Sequence, residues 1–171
     1  MERVISVRPL ADDDRSWKED ALRRAWGDTL MARKDELIDT LDLDGFVAAD
    51  GDERIGLLTY APRGDEVEVA SLQVDREGLG AGRALMDAVR ARAEELGARR
   101  LWLITLNDNT RAIGFYQRWG MDLAALHRDG VTRARELKPS IPLTGARGVP
   151  LRHELEFELV LRPAGSLSGR A

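Results

Sequence analysis

The sequence predicts a mixed α/β fold of α+β type: a mainly antiparallel sheet with one parallel strand pair, flanked by helices. Three observations carry this expectation. Strand, loop, helix and strand over residues 66–105 form a βαβ unit, whose strands run parallel through a right-handed crossover. The strands before it are separated by short turn segments, Asp50-Gly51-Asp52 and Pro62-Arg63-Gly64-Asp65, and only antiparallel neighbours can be joined that tightly. In the last strand, Glu154–Leu161, the residues Leu155, Phe157, Leu159 and Leu161 alternate with Glu154, Glu156, Glu158 and Val160. That is the pattern of an antiparallel strand with one mostly wet face.

The elements follow in order. Residues 3–8 are short and β-branched and stop at Pro9, so they read as a first strand. Asp12, Asp13 and Asp14 place negative charge at the start of a helical stretch reaching Trp26. A second short helix is expected over Met31–Leu41. Phe46–Ala49 and Arg54–Tyr60 form a hairpin, and Glu66–Val74 is the next strand. Ala84–Leu96 puts Leu85, Ala88, Val89, Ala93 and Leu96 on one helical face, with Gly97 where a helix C-terminal glycine belongs. Leu101–Thr105 is a buried strand, and Asn109 to Trp119 a helix stopped by Gly120. A strand at Met121–Leu126, a basic helix near Thr132–Leu137 and a Pro/Gly-rich loop lead to the last strand.

The 171 residues, 43% hydrophobic and 33% charged, suffice for one domain with a substantial core, expected at 1–162 with a frayed tail over 163–171. The absence of cysteine excludes a disulfide framework, a cysteine zinc site, an iron–sulfur cluster and a cysteine nucleophile. The formal charge of −4 argues against a general nucleic-acid binder. No apolar run approaches the roughly 18 residues that a membrane span requires. The first residues lack the apolar core of a signal peptide and carry acids that a transit peptide avoids, so the expected location is the cytoplasm.

Gly78-Leu79-Gly80-Ala81-Gly82 lies between a strand and a helix. Alternating glycines allow close backbone approach, and a helix start offers N–H groups to an anion, so the loop suits a phosphate or pyrophosphate. A flexible turn without a ligand fits the glycines equally well. Two phosphate motifs fail: Arg83-Ala84 replaces the Lys-Ser/Thr of a P-loop, and Arg83 stands at the last glycine of the dinucleotide pattern. Arg83 in the first helical turn opposes the helix dipole, a cost of roughly 0.3–1 kcal/mol that a bound anion turns into a gain.

Two segments together resemble the GNAT superfamily of acetyl-CoA-dependent N-acetyltransferases. The first is Leu72-Gln73-Val74 followed by Glu77-Gly78-Leu79-Gly80-Ala81-Gly82-Arg83-Ala84-Leu85, and the second is Asn109-Thr110-Arg111-Ala112-Ile113-Gly114-Phe115-Tyr116-Gln117-Arg118-Trp119-Gly120-Met121. They match the family's pyrophosphate motif and its N-x-x-A-x-x-F-Y-x-x-x-G motif, in the family's order and with a strand between them. Glu77 departs from the motif, which has Arg or Gln there, and the strand-to-loop connection is shorter than usual; Arg76 and Arg83 could offset the extra carboxylate.

The resemblance implies that strands 66–74 and 101–105 splay apart and that the pantetheine of acetyl-CoA lies in the gap. It assigns pantetheine pairing to Leu72, Gln73 and Val74. The amides of Gly78, Leu79, Gly80, Ala81, Gly82, Arg83 and Ala84 would take the pyrophosphate, and Asn109, Ala112, Phe115 and Tyr116 would face the cofactor. Arg76, Arg83 and Arg111 would make the mouth basic. The expected partners are acetyl-CoA and an amine acceptor, with no metal, nucleic acid or membrane; homodimers are common in the family.

Acetyl transfer to an amine requires deprotonating an ammonium and protonating a departing thiolate. Tyr116 stands at the family's acid position, although Ala112, Phe115, Tyr116 and Trp119 also form an apolar stripe that a core tyrosine would satisfy. Asn109 is equally a good helix N-cap. Glu68, flanked by Val67 and Val69, is the candidate base, its alternative being an ordinary solvated strand glutamate like Glu66. His127 and His153 show no metal-site pattern; either could line the acceptor pocket, as could Trp17 and Trp26. Arg133, Arg135 and Lys138 read as a solvated helix face.

Overall fold

The computed structural model describes residues 4–161. Nine strands and four helices follow in the order β1 (Ile5–Pro9), α1 (Arg15–Trp26), β2 (Leu30–Arg33), β3 (Glu36–Asp39), β4 (Asp44–Asp50), β5 (Glu53–Arg63), β6 (Glu66–Val74), α2 (Ala81–Glu95), β7 (Arg100–Leu106), α3 (Thr110–Trp119), β8 (Asp122–His127), α4 (Gly130–Leu137) and β9 (Glu154–Val160). Seven strands are ordered β1-β4-β5-β6-β7-β9-β8 in a sheet that is mainly antiparallel, with β6 and β7 its parallel pair; β2 and β3 form a separate ribbon. This is the expected fold class. Among the described residues no helix is long and apolar enough to cross a membrane. The tail expected at 163–171 and the first residue of the expected opening strand lie outside the described residues.

The chain divides into two compact units. Among the described residues the first comprises 4–29, 40–101 and 160–161. Its strands β1, β4, β5 and β6 pair antiparallel in that order, and tight turns link β4 to β5 at Gly51 (φ +62°) and β5 to β6 at Gly64 (φ +59°). The second turn is tighter than the sequence suggests: β5 continues through Pro62 and Arg63, which pair with Val67 and Glu66. Helix α2 packs on β1, β4, β5 and β6 with Leu85, Met86, Val89 and Ala93 fully buried. It begins three residues before the expected start. Helix α1 sets Ala21 and Leu22 on Leu57, with Leu10, Trp17 and Leu41 around them. Its entry is fixed by buried Asp14, which takes a two-pronged bond from Arg8 (2.7 and 3.0 Å), one from Arg54 Nε (3.0 Å) and the Ala11 N–H (2.9 Å). The Arg8 hydrogen bond, foremost, holds this carboxyl well below the usual range.

Between β5 and β6 the register slips. Thr59 pairs with Ser71 and Tyr60 with Val69, so Ala70 is an extra residue, a β-bulge. Side chains alternate faces along a strand, and the bulge resets that alternation. Glu68 therefore joins Ser71 and Gln73 on the face that carries Leu57, Thr59 and Ala61. Without the bulge it would lie on the opposite face.

The second unit comprises Leu30–Asp39 and Trp102–Leu159. Two sequence expectations fail here. Residues 31–41 are not a helix but the β2–β3 hairpin, followed by a 3-10 turn at Thr40–Asp42. Lys34 (φ +47°) and Asp35 (φ +62°) both adopt the left-handed conformation that a two-residue hairpin turn needs. Tertiary bonds compensate for that strain: Arg133 Nε reaches Asp35 (2.9 Å), and Lys138 Nζ reaches the Leu30 carbonyl (2.8 Å). Arg133 stays on the solvated face expected for it while reaching the hairpin, and Lys138, just past the end of α4, is tied to the hairpin and half-buried. Arg135 likewise donates to the carbonyls of Ile141, Pro142 and Leu151.

The glutamate face of β9 is the second correction. Glu154 and Glu156 are buried, at 0% and 6% exposure. Glu154 accepts the Lys34 backbone N–H (3.1 Å), and Glu156 pairs with Lys34 Nζ (3.0 Å) and His127 Nε2 (3.1 Å). The hairpin supplies the partners that make burial of two carboxylates tolerable.

Candidate active site

In the first unit, β6 runs directly into the glycine loop. The Asp75 N–H bonds to the Ile55 carbonyl (2.8 Å) and fixes where the strand ends. Gly78 and Gly80 both have φ +78°, a conformation that L side chains rarely adopt, and a Cβ built on either would meet open space. Gly80 is the N-cap of α2 and brings no capping side chain. The helix ladder begins with the Ala84 N–H on the Gly80 carbonyl (3.0 Å). The N–H groups of Ala81, Gly82 and Arg83 therefore precede the first intrahelical bond and are available to an anion. An open glycine edge leading onto an uncapped helix start fits the pyrophosphate of a CoA-like group.

Arg83 is exposed on the first turn of α2. Arg76 is engaged elsewhere, bound to Glu53 and 3.7 Å from Asp50, so its charge is already balanced. The offset to Glu77 expected from Arg76 is correspondingly reduced.

Along the bulged face of β6, three polar contacts follow one another. Trp26 Nε1 donates to Gln73 Oε1 (3.1 Å), the hydroxyls of Thr59 and Ser71 meet at 2.6 Å, and Arg63 Nε donates to Glu68 Oε2 (2.6 Å). Glu68 is buried at 1% exposure, so the solvated alternative weighed for it does not describe this structure. A buried carboxylate gripped by a guanidinium is fixed in orientation and presents its remaining lone pairs to a cationic or N–H group. Leu72 and Val74 lie on the opposite face, towards α2. Of the two tryptophans proposed for the acceptor pocket, Trp17 packs in the α1 core and Trp26 is the one bonded to β6.

In the second unit, Asn109 caps α3: its side chain accepts the Ala112 N–H (3.2 Å). Gly120, at φ +123°, ends the helix with its N–H on the Tyr116 and Gln117 carbonyls. Tyr116 is buried between Phe115 (ring centroids 5.4 Å apart) and Phe157 (5.9 Å). Burial pushes its phenol pKa up to about 12, so it keeps its proton through the physiological range.

On the hairpin side of β9 lies a further polar cluster that no local motif announces. Lys34 Nζ lies 4.6 Å from the centre of the Trp102 ring and ion-pairs with Glu156, which also holds His127. Burial raises the Glu154 carboxyl above its ordinary value. His153 Nδ1 accepts the Asp129 N–H (2.9 Å), which leaves the ring proton of the neutral form on Nε2. The acidic partner of His127 was illegible because only the pairing of β8 with β9 brings Glu156 to it.

Residues 11–121 match the model of the acetyltransferase (GNAT) family. An uncharacterised Bacillus subtilis protein, YdhI, is 38% identical over 143 residues, covering 83% of this chain and 89% of its own length. Among solved structures, an IAA acetyltransferase from Bacillus cereus superposes with a TM-score of 0.67 at 16% identity, over 92% of this chain and all of that one. A Bacillus subtilis acetyltransferase solved in complex with CoA gives 0.64 at 18% identity, over 94% and 99% of the two chains.

Proposed function

Because this chain belongs to the GNAT acetyltransferase family, we propose that it carries acetyl from acetyl-CoA directly to a primary amine of a small molecule or peptide. Residues 1–162 are read as its single catalytic domain. The observation that carries the proposal is the glycine edge at Gly78 and Gly80 opening onto the uncapped start of α2. In the second unit, Tyr116 is buried on a capped helix within the same matched family segment.

Acetyl-CoA supplies an activated thioester. The amides of residues 78–83 hold its pyrophosphate, the Ala84 N–H named by the resemblance being taken by the Gly80 carbonyl; the β6 backbone at Leu72, Gln73 and Val74 pairs with its pantetheine, and Ala112, Phe115 and Tyr116 complete the binding surface on the helix that Asn109 caps. Glu68 takes the proton from the acceptor ammonium, with Arg63 orienting its carboxylate. The Tyr116 hydroxyl donates to the departing sulfur. A phenol near pKa 12 is a weaker acid than a thiol of ordinary pKa about 8.5, so its proton moves only as the sulfur gains charge. A buried thiolate is also more basic than a solvated one, which narrows that gap. The chain has no cysteine to carry the acetyl group, which supports direct transfer in a ternary complex.

The test is release of free thiol from acetyl-CoA across a library of primary amines, with Glu68→Gln run in parallel. Acetylation of at least one amine class, weakened in Glu68→Gln, is expected. Binding of CoA with no thiol release on any amine would identify a non-catalytic acyl-CoA-binding domain instead.

A further inference from the structure

The second unit already holds a primary ammonium in a built site, and that ammonium is the chain's own. Lys34 Nζ lies 4.6 Å from the centre of the Trp102 ring and 3.0 Å from Glu156 Oε1. Trp102 is 4% exposed, and the Glu156 side chain 8%. His127 Nε2 approaches the same carboxylate oxygen at 3.1 Å. Buried Glu154 stands two residues along β9, on the same face. An aromatic face with a carboxylate beside it, both screened from water, is the arrangement that binds an alkylammonium group.

Lys34 is the removable member of this cage. Its side chain is 34% exposed, whereas the walls it rests on are buried. The hairpin does not depend on its ammonium: Glu154 holds the Lys34 backbone N–H, Asp35 holds Arg133, and the Leu30 carbonyl holds Lys138. A lysine nevertheless occupies a left-handed turn position, φ +47°, that glycine or asparagine would fill with less strain. Strain kept at such a position points to a use for the side chain.

The charges around the cage support exchange of its occupant. The exposed neighbours cancel in pairs, Asp35 with Arg133 and Asp129 with Arg152. The buried carboxylates Glu154 and Glu156 are left to Lys34 and His127. When the Lys34 ammonium swings out, two buried carboxylates remain beside one imidazole, and another cation is drawn in.

We propose that the Trp102–Glu156 cage is the subsite for a second cationic group of the acceptor, with the Lys34 ammonium as its resident competitor, and that the acceptor is accordingly a diamine or polyamine. This rests on the acetyl-transfer reading above. The two ends of such an acceptor have different fates. One enters the cage as an ammonium and stays unchanged. The other forms the N–C bond to acetyl as the C–S bond breaks, so that ammonium and acetyl-CoA give an amide, the CoA thiol and one proton.

Competition by Lys34 makes a prediction that a purely structural ion pair does not: removing its charge should tighten binding. Calorimetry at constant ionic strength, with linear α,ω-diamines of three to eight carbons, reads the cage without turnover. Lys34→Met keeps the length of the stem without the charge, and Lys34→Gln is a second charge-free variant. Each should bind at least one diamine about tenfold or more tighter than wild type, the gain expected when a resident occupant fills most of the sites. Lys34→Arg, still cationic, should show no gain, and Lys34→Met/Glu156→Gln should lose it. Steady-state kinetics ties the cage to the acceptor. In Lys34→Met the KM for that diamine should fall by about fivefold or more, while the KM for n-butylamine changes by less than about twofold. Equal diamine affinity in wild type and the charge-free variants, or a gain that survives Glu156→Gln, overturns the cage. Tighter binding with no fall in KM for any diamine overturns its link to the acceptor. Absence of thiol release with every amine would defeat the transfer reading instead, and calorimetry would still decide the cage.

Discussion

Helices α2 and α3 start in opposite ways. Helix α2 opens on Gly80, with no side chain to cap it and a second left-handed glycine two residues earlier. Helix α3 opens on Asn109, whose side-chain Oδ1 accepts the Ala112 N–H. The first start leaves its N–H groups and the positive end of its dipole to a ligand; the second consumes part of that capacity internally. The difference separates two tasks. Under the proposed function the uncapped start binds, and the capped start makes a rigid stage for Tyr116 two turns along.

The largest effect expected from this division is on turnover. Tyr116→Phe should lower kcat by about 10²–10⁴-fold, the usual range for loss of a positioned acid, while the acetyl-CoA Kd changes by less than about threefold. Single-turnover kinetics and calorimetry separate the two. The pH profile adds a sign: the proposed donor is a neutral phenol, and burial raises its pKa to about 12. Wild-type turnover should therefore show no descending limb from Tyr116 below about pH 11. A Tyr116→Phe enzyme with full kcat would break the assignment of catalysis to α3.

Next in size is the binding side. Gly80→Ala places a Cβ in open space but at φ +78°, which costs a non-glycine residue about 1–2 kcal/mol. The loop escapes that strain by changing shape, and binding must then restore it. The acetyl-CoA Kd should rise by about 5–30-fold, with kcat at saturating substrate nearly unchanged. If kcat falls and Kd does not, the open start of α2 is not the anion site.

The same contrast explains what could be read from the sequence. Strand β6 and its glycine loop, and α3 between Asn109 and Gly120, are legible because local chemistry fixes their ends. The β2–β3 hairpin is not. Leu30, Met31, Ala32, Lys34, Glu36 and Leu37 are good helix formers or helix-compatible, and its turn uses Lys34-Asp35 without a glycine or asparagine to announce it. The burial of Glu154 and Glu156 was hidden for the same reason, since their partner Lys34 sits in that turn. Glu68 stands out by its apolar neighbours Val67 and Val69, but its face depends on the bulge at Ala70, a register slip that alternation alone does not reveal.

The smallest effect is the most diagnostic of the capped start. Asn109→Ala removes the acceptor of the Ala112 N–H and should cost about 1 kcal/mol, a fall of roughly 2–4 °C in Tm for a chain of this size. Asn109→Ser, which can cap, should recover most of that loss. Because the amide is already spent on the helix, the acetyl-CoA Kd should move by less than about threefold in both variants. The contrast with α2 would fail if Asn109→Ala weakened cofactor binding tenfold at an unchanged Tm. The asparagine would then belong to the ligand, and both helix starts would share the work of binding.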